Sequence, residues 1–117
     1  MRRKARQSLH ATRVLLERGL VDDAASRLYF ALFQAAVHGL ERQGKSPADL
    51  RPGATYWEHR TVCRHAALVL GKAEDEDLLA DALVLRRDAD YRTGPVERWR
   101  IESLRPEIFR FVEEVTS

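Results

Sequence analysis

An almost continuous apolar segment at residues 24–40 constrains the fold of this chain more than any other feature. Between positions 28 and 37 only Gln34 is strongly polar, so we expect a helix that is buried on most of its circumference. The segment is too short for a membrane span, and Arg27, Gln34 and His38 interrupt it. Because a long cation beside a buried surface needs a partner, the sequence also predicts a partner for Arg27.

The composition and the spacing of the apolar residues predict an all-α domain. At 117 residues, with 44% hydrophobic and 32% charged residues, the chain is large enough to form one core in a single domain over residues 1–117. No stretch alternates apolar and polar residues in the manner of a strand. We therefore predict an up-and-down antiparallel four-helix bundle with an additional short or C-terminal helix.

Helical spacing and helix-ending residues set the expected boundaries. Residues 43–55 contain two glycines and two prolines and are predicted to form a loop. Gly71 is expected to end the helix that follows this loop. The first four long helices are predicted over residues 3–18, 22–42, 57–70 and from 75 to no later than 94.

The last helix has two interpretations because Pro106 lies inside its apolar pattern. In the first, Ser103 caps the helix and Pro106 lies in its first turn, where a missing N–H costs nothing. In the second, a longer helix from about Val96 is kinked at Pro106. We favour the first.

Charge and cysteine content limit which partners and which cellular location are expected for the protein. The formal net charge of +2 does not by itself indicate a nucleic-acid-binding protein, although basic residues concentrate near the N-terminus. Arginine outnumbers lysine, which reflects either a compositional bias or contacts with phosphate. The single Cys63 excludes an intrachain disulfide and fits a reducing compartment. Since the N-terminus reads as an amphipathic helix and lacks the apolar core of a secretory signal, we expect a cytoplasmic protein with no membrane association.

The strongest local candidate for a site is the charged sequence RRDADYR at residues 86–92. On an ideal helix Arg86 and Asp90 are one turn apart and share a face. One interpretation is a solvated helix end with ion pairs between residues four apart. The other is an anion site in which Arg86 and Arg27 hold a phosphate while Asp90 orients one of them.

The histidines and the cysteine do not predict a metal site. His59 and Cys63 are four residues apart, but His65 lies far round the helix from both, and no acidic ligand completes a shell. Neither a metal nor a cofactor is therefore expected. His59 is either a polar residue near the start of a helix or a member of a site.

Two sequence segments together resemble the signatures of the HEPN superfamily, and in particular its small stand-alone members. Phe30 stands where a second tyrosine is usual. The first signature is matched by Ala24, Ala25, Ser26, Arg27, Tyr29, Phe30, Ala31, Phe33, Ala35 and Ala36. The second is matched by Arg86 or Arg87 with Ala89, Asp90 and Tyr91. The likeness extends from the first helix to the last.

This resemblance implies a homodimeric helical bundle that binds a nucleotide or RNA. Many similar proteins are toxins of toxin–antitoxin pairs, encoded beside a minimal nucleotidyltransferase. Many are also metal-independent ribonucleases, in which an arginine and a histidine of two protomers meet in an interface cleft. In this chain Tyr91 occupies the position of that histidine. A phenol with a pKa near 10 is a poor general base at neutral pH, so Tyr91 would donate a hydrogen bond or accept a nucleotidyl group from a partner enzyme.

The site predicted on this basis has a small number of members. Arg86 and Tyr91 are the catalytic candidates, and Tyr29 and His59 are further site residues. Phosphate binding is assigned to Arg27, Arg86, Arg87 and Asp90. The alternative is a non-catalytic helical accessory module, in which an Arg27–Asp90 ion pair only holds the second helix to the fourth. A weaker third possibility is a general interaction domain unrelated to nucleotides.

Overall fold

The computed structural model describes residues 1–70 and 75–117, and within them it contains six helices and no strand. The all-α bundle predicted from the sequence is confirmed. Five of the helices are long, and α3 is a single short turn in the loop after α2. The helices are α1 (Arg2–Glu17), α2 (Val21–Arg42), α3 (Pro47–Leu50), α4 (His59–Leu70), α5 (Asp75–Tyr91) and α6 (Arg98–Thr116).

Helix α2 is the centre of the bundle, because α1, α4, α5 and α6 all pack against it. The apolar segment identified in the sequence forms most of this helix, and its side chains are buried on nearly all sides. Burying one of its large side chains, such as Leu28 or Leu32, contributes about 1.5–3 kcal/mol. Among the described residues, no helix is both long enough and apolar enough to cross a membrane.

Gly39 lets two neighbouring helices approach α2 closely. A Cβ atom placed on Gly39 would lie 2.7 Å from a methyl carbon of Leu70 in α4 and 3.2 Å from a methyl carbon of Val115 in α6. Any larger residue at this position would push one of these side chains away. The alanines of the same helix act similarly, since small side chains permit short distances between helices.

The link between α1 and α2 is short because Gly19 reverses the chain. Gly19 has a φ of +73°, which only glycine adopts readily. Its N–H donates to the Leu16 carbonyl at 3.1 Å, and the Leu20 N–H donates to the Leu15 carbonyl at 2.9 Å. These two bonds form a Schellman motif, which satisfies the last carbonyls of α1.

The favoured interpretation of the last helix was wrong. Helix α6 begins at Arg98, five residues before Ser103, and continues through Pro106. The second interpretation, a longer helix from about Val96, is therefore nearer to the observed start of α6. The physical reason is burial: Ile101 and Ile108, on either side of the proline, are both fully buried in the core. That burial offsets the backbone hydrogen bond that Pro106 cannot donate.

The other boundaries agree with the sequence to within two residues. Helix α4 begins at His59, whereas residue 57 was predicted. The predicted end at Gly71 lies outside the described residues.

The short link from α5 to α6 is held by Asp22 of α2, whose carboxylate accepts the Val96 N–H at 2.9 Å. Arg100 of α6 also forms an ion pair with Asp88 of α5 at 2.8 Å.

Candidate functional site

Three helices bring one group of aromatic and charged side chains together, which we call the arginine–aromatic cluster. Its members are Tyr29, Phe30, Phe33, His59 and Arg86. The three aromatic residues lie on α2, and Phe33 follows Tyr29 by one helical turn. His59 is the first residue of α4, and Arg86 lies near the end of α5. The site therefore depends on the packing of α4 and α5 against α2.

Tyr29 and His59 form a short hydrogen bond inside this cluster. The Tyr29 hydroxyl and the His59 Nδ1 are 2.6 Å apart, and Tyr29 has no exposed surface. The His59 ring stacks on Phe33 with 4.3 Å between ring centroids and 24° between planes. Burial, and after it the nearby Cys63 thiol, raise the pKa of Tyr29 far above its ordinary value, so the phenol stays protonated.

His59 is held in its neutral form with one ring nitrogen open to a ligand. Burial is the main cause that lowers the pKa of His59, and the positive charges of Arg86 and Arg87 lower it further. The hydrogen bond with Tyr29 occupies Nδ1. Within the described residues, Nε2 has no hydrogen-bond partner. At neutral pH this nitrogen belongs to an uncharged imidazole, which can exchange a proton with a bound molecule.

Arg86 packs against two adjacent aromatic rings. Its guanidinium carbon lies 4.7 Å from the centre of the Phe30 ring and 5.5 Å from that of Tyr29. The Arg86 Nε is 3.4 Å from a carboxylate oxygen of Asp90, but this buried N–H is not aligned with it and has no hydrogen-bond partner. Such cation–π contacts contribute about 0.5–2 kcal/mol each and leave the edge of the guanidinium group free for hydrogen bonds.

The predicted ion pair between Arg27 and Asp90 is wrong. Asp90 instead accepts a hydrogen bond from the Ser26 hydroxyl at 3.1 Å and pairs with Arg86. Neighbouring residues on a helix point about 100° apart, so only one of positions 26 and 27 can face α5. Ser26 takes that position. The Arg27 guanidinium carbon lies 5.0 Å from the centre of the Phe30 ring, so Arg27 and Arg86 both pack on Phe30.

Two other predicted site residues lie outside the cluster. Arg87 is exposed beside it. Tyr91 is the last residue of α5 and is 82% exposed. Five residues along a helix turn a side chain by roughly 140°, so Tyr91 does not share the face of Arg86. Among the described residues, no contact joins the two side chains, and the predicted catalytic pair Arg86–Tyr91 is not assembled within one chain.

The charged end of α5 also has the features of a solvated helix end. Ion pairs between residues four apart join Arg86 to Asp90 at 3.4 Å and Arg92 to Asp88 at 4.0 Å. The ion pairs predicted for a solvated helix end are therefore present. Asp88 and Arg92 lie away from the cluster, whereas Asp90 contacts its member Arg86.

Three residues of this region had no role predicted from the sequence. Phe33 stacks on His59, Ser26 binds Asp90, and Cys63 lies beside Tyr29. The spacing of His59 and Cys63, one turn apart, was the available signal for the last contact. In the part of the chain that the structure describes, no group of three His, Cys, Asp or Glu side chains could hold a metal ion.

Comparisons of the chain with protein-family models, with curated proteins and with solved structures give no match. The resemblance to the HEPN superfamily therefore stays a prediction. The features that indicate a functional site are a packed guanidinium group, an uncharged imidazole and further arginines beside them. This combination suits the binding of an anion with several oxygen atoms, such as a phosphate group.

Proposed function

We propose that the protein binds the phosphate groups of RNA or of a nucleotide at the arginine–aromatic cluster, as a HEPN-type helical protein of the cytoplasm. The observation that carries this proposal is Arg86, whose guanidinium group packs against the rings of Tyr29 and Phe30 while its Nε faces Asp90. An arginine that is already fixed loses little side-chain entropy when it binds a ligand.

The surrounding charges support the same ligand. Arg27 and Arg86 both pack on Phe30, and Arg87 is exposed next to them. Only one carboxylate, that of Asp90, pairs with this group of three arginines among the described residues. The excess of positive charge favours phosphate, and arginine can bind two phosphate oxygens at once.

Cleavage of RNA is the reaction that this site could perform without a metal. The ribose 2′-oxygen would attack the adjacent phosphorus, forming a cyclic 2′,3′-phosphate and releasing the 5′-oxygen of the next nucleotide, which takes a proton from water. Arg86 would stabilise the negative charge that develops on the phosphoryl oxygens. His59, kept neutral by its lowered pKa and with its Nδ1–H donating to the Tyr29 oxygen, would accept the proton of the 2′-hydroxyl at Nε2.

The decisive experiment replaces Arg86 by alanine and measures binding and cleavage of labelled RNA. Loss of a hydrogen bond between charged groups costs about 1.5–3 kcal/mol, so we expect at least tenfold weaker binding. Arg105→Ala is a matched control, because Arg105 lies 5.1 Å over the Phe109 ring and pairs with Glu102, far along the chain from the cluster. The proposal is refuted if Arg86→Ala binds RNA and nucleotides as tightly as the wild type and the Arg105→Ala control do.

The accessory-module alternative is favoured by a different surface. Val84 of α5 and Trp99 of α6 are 51% and 69% exposed and line a groove of about 230 Å³. Asp81 and Arg100 also line it, and because Arg100 is already paired with Asp88, the exposed apolar side chains would supply most of a two-fold contact with a second copy. We expect Trp99→Lys to convert a dimer to a monomer in sedimentation velocity. Tyr56→Lys, at another exposed aromatic residue, should leave the dimer intact.

A minimal nucleotidyltransferase is the proposed partner enzyme. The exposed Tyr91 hydroxyl could attack the α-phosphorus of a nucleoside triphosphate held by that enzyme, releasing pyrophosphate and passing its proton to water. Mass spectrometry after incubation with the enzyme and a nucleoside triphosphate tests this step. An added nucleotidyl group that is absent from Tyr91→Phe supports it, and an unchanged mass of the wild-type chain contradicts it.

A further inference from the structure

A basic groove between α1 and α2 lies next to the arginine–aromatic cluster. We call it the α1–α2 groove; it encloses about 410 Å³. Arg27 connects the groove to the cluster, because it lines the groove and also packs on the cluster member Phe30. The groove therefore opens directly beside the proposed phosphate site. Its lining residues are Lys4, Gln7, Ser8, Ala11, Arg27 and Gln34.

The basic surface continues from this groove along α1. Gln7 also lines a second depression of about 410 Å³, whose other residues are basic or polar. Cationic side chains thus extend from Arg86 through Arg27 to Lys4 in the groove, and Arg3 lies in the adjoining depression that shares Gln7 with it. This surface is considerably longer than one phosphate group.

The cations of this surface are not neutralised by the protein itself. Among the described residues, Arg3, Lys4 and Arg27 have no ion-pair partner. Arg2 and Arg6 are different, because both donate hydrogen bonds to the Thr116 carbonyl at the end of α6, at 2.6 and 3.4 Å. These two arginines hold α1 to α6, whereas Arg3 and Lys4 are left available for an external anion.

The floor of the groove is polar and held in place. With its amide nitrogen directed toward α1, Gln34 donates to the Lys4 carbonyl at 3.0 Å and to the Ser8 hydroxyl oxygen at 2.8 Å. Gln34 is therefore tied to the backbone of α1 at the point where the groove crosses from one helix to the other. A polar floor with basic walls suits a sugar–phosphate backbone better than an apolar peptide.

We infer that the α1–α2 groove binds the backbone of a single-stranded nucleic acid, so that the ligand of the Arg86 site is an oligonucleotide and not a mononucleotide. This inference rests on the proposed function and specifies its substrate class. The groove encloses only about 410 Å³ between two packed helices, so it takes one strand, whereas a duplex would contact only its edges. Phosphate contacts at Arg27, Lys4 and Arg3 would follow the one at Arg86.

The test compares the affinity of the full chain for a mononucleotide, for single-stranded RNAs of increasing length and for a duplex. We expect wild-type affinity to rise with strand length. The double variant Arg3→Gln/Lys4→Gln should bind long strands at least tenfold more weakly and bind the mononucleotide as wild type does. If both phosphate contacts are lost, the slope of log affinity against log salt should fall by about 1.4, at about 0.7 for each contact.

A matched control and separate outcomes keep the inference distinct from the proposed function. Arg18→Gln/Lys45→Gln removes the same charge from exposed positions outside the groove and should leave binding nearly unchanged. If a mononucleotide binds but affinity does not rise with length, or if the two double variants behave alike, the inference is overturned and the proposed function stands. Equal affinity for a duplex or for polyglutamate would also overturn it. If no nucleotide or RNA binds, both fail.

Discussion

Removing one oxygen atom from Tyr29 tests whether the hydrogen bond at the centre of the cluster stabilises the protein. Tyr29→Phe keeps the ring, which is completely buried and lies 6.0 Å from Phe33 and 5.6 Å from Phe30 between centroids. The only group lost is the hydroxyl that is 2.6 Å from the His59 Nδ1. Any loss of stability therefore reports on the contacts of that hydroxyl, with His59 and with the neighbouring Cys63 thiol, and not on a large cavity.

Tyr29→Phe should lower the free energy of unfolding because it leaves the partly buried His59 Nδ1 without its hydrogen-bond partner. A buried polar group that loses its only partner destabilises a protein by about 1–3 kcal/mol, and we expect Tyr29→Phe to fall in this range. The measurement is urea denaturation, with the midpoint shifted and the slope unchanged because the exposed surface is the same. In thermal unfolding, the same change lowers Tm by about 4 °C for each kcal/mol.

Tyr91→Phe makes the same chemical change at the surface of the same protein. Tyr91 is 82% exposed, so loss of its hydroxyl should change stability by less than about 0.5 kcal/mol. If the two variants unfold at the same urea concentration, the Tyr29–His59 hydrogen bond contributes nothing to stability. His59 would then not be fixed in the site by this bond.

Three further predictions concern the packing and the titration of the bundle. Asp22→Ala should cost about 1–3 kcal/mol in urea denaturation because it leaves the buried Val96 N–H unpaired, and Asp23→Ala, one residue along and exposed, should cost clearly less. Leu28→Ala should cost about 2–5 kcal/mol in the same assay, since Leu28 is fully buried in α2, and a smaller loss would place this side chain outside the core. Because the pKa of His59 is lowered from its ordinary 6.5, the unfolded chain binds a proton more readily, so stability should fall as the pH drops below about 6.5. His59→Gln should weaken this fall, and identical pH profiles would contradict the assignment of a neutral His59.

The helices could be predicted from the sequence because their causes are local. Apolar spacing, Gly19 and the paired aspartates at the start of α2 each act within a few residues, and those boundaries agree with the structure. The start of α6 could not be predicted in this way. It depends on the burial of Ile101 by other helices, which outweighs the local preference for a start near Pro106.

Some members of the site were predictable from the sequence, whereas Phe33 and the contacts between the side chains were not. Tyr29, His59 and Arg86 were all named from the sequence, and the structure brings them together. Which polar group meets which, however, depends on how α2 and α5 are rotated against each other. A rotation of about 100° decides whether Ser26 or Arg27 meets Asp90, and no spacing within one helix contains that information.

The central position of α2 has a consequence for hydrogen exchange. Every other long helix packs against α2, so no opening that releases one of them frees the amides of α2. These amides should exchange with solvent only when the whole molecule unfolds, with protection equal to the global free energy of unfolding. Helix α3, which within the described residues packs only against α4, should exchange far earlier. The same helix that supplies Tyr29 and Phe30 to the candidate site is therefore expected to be the last part of the chain to open.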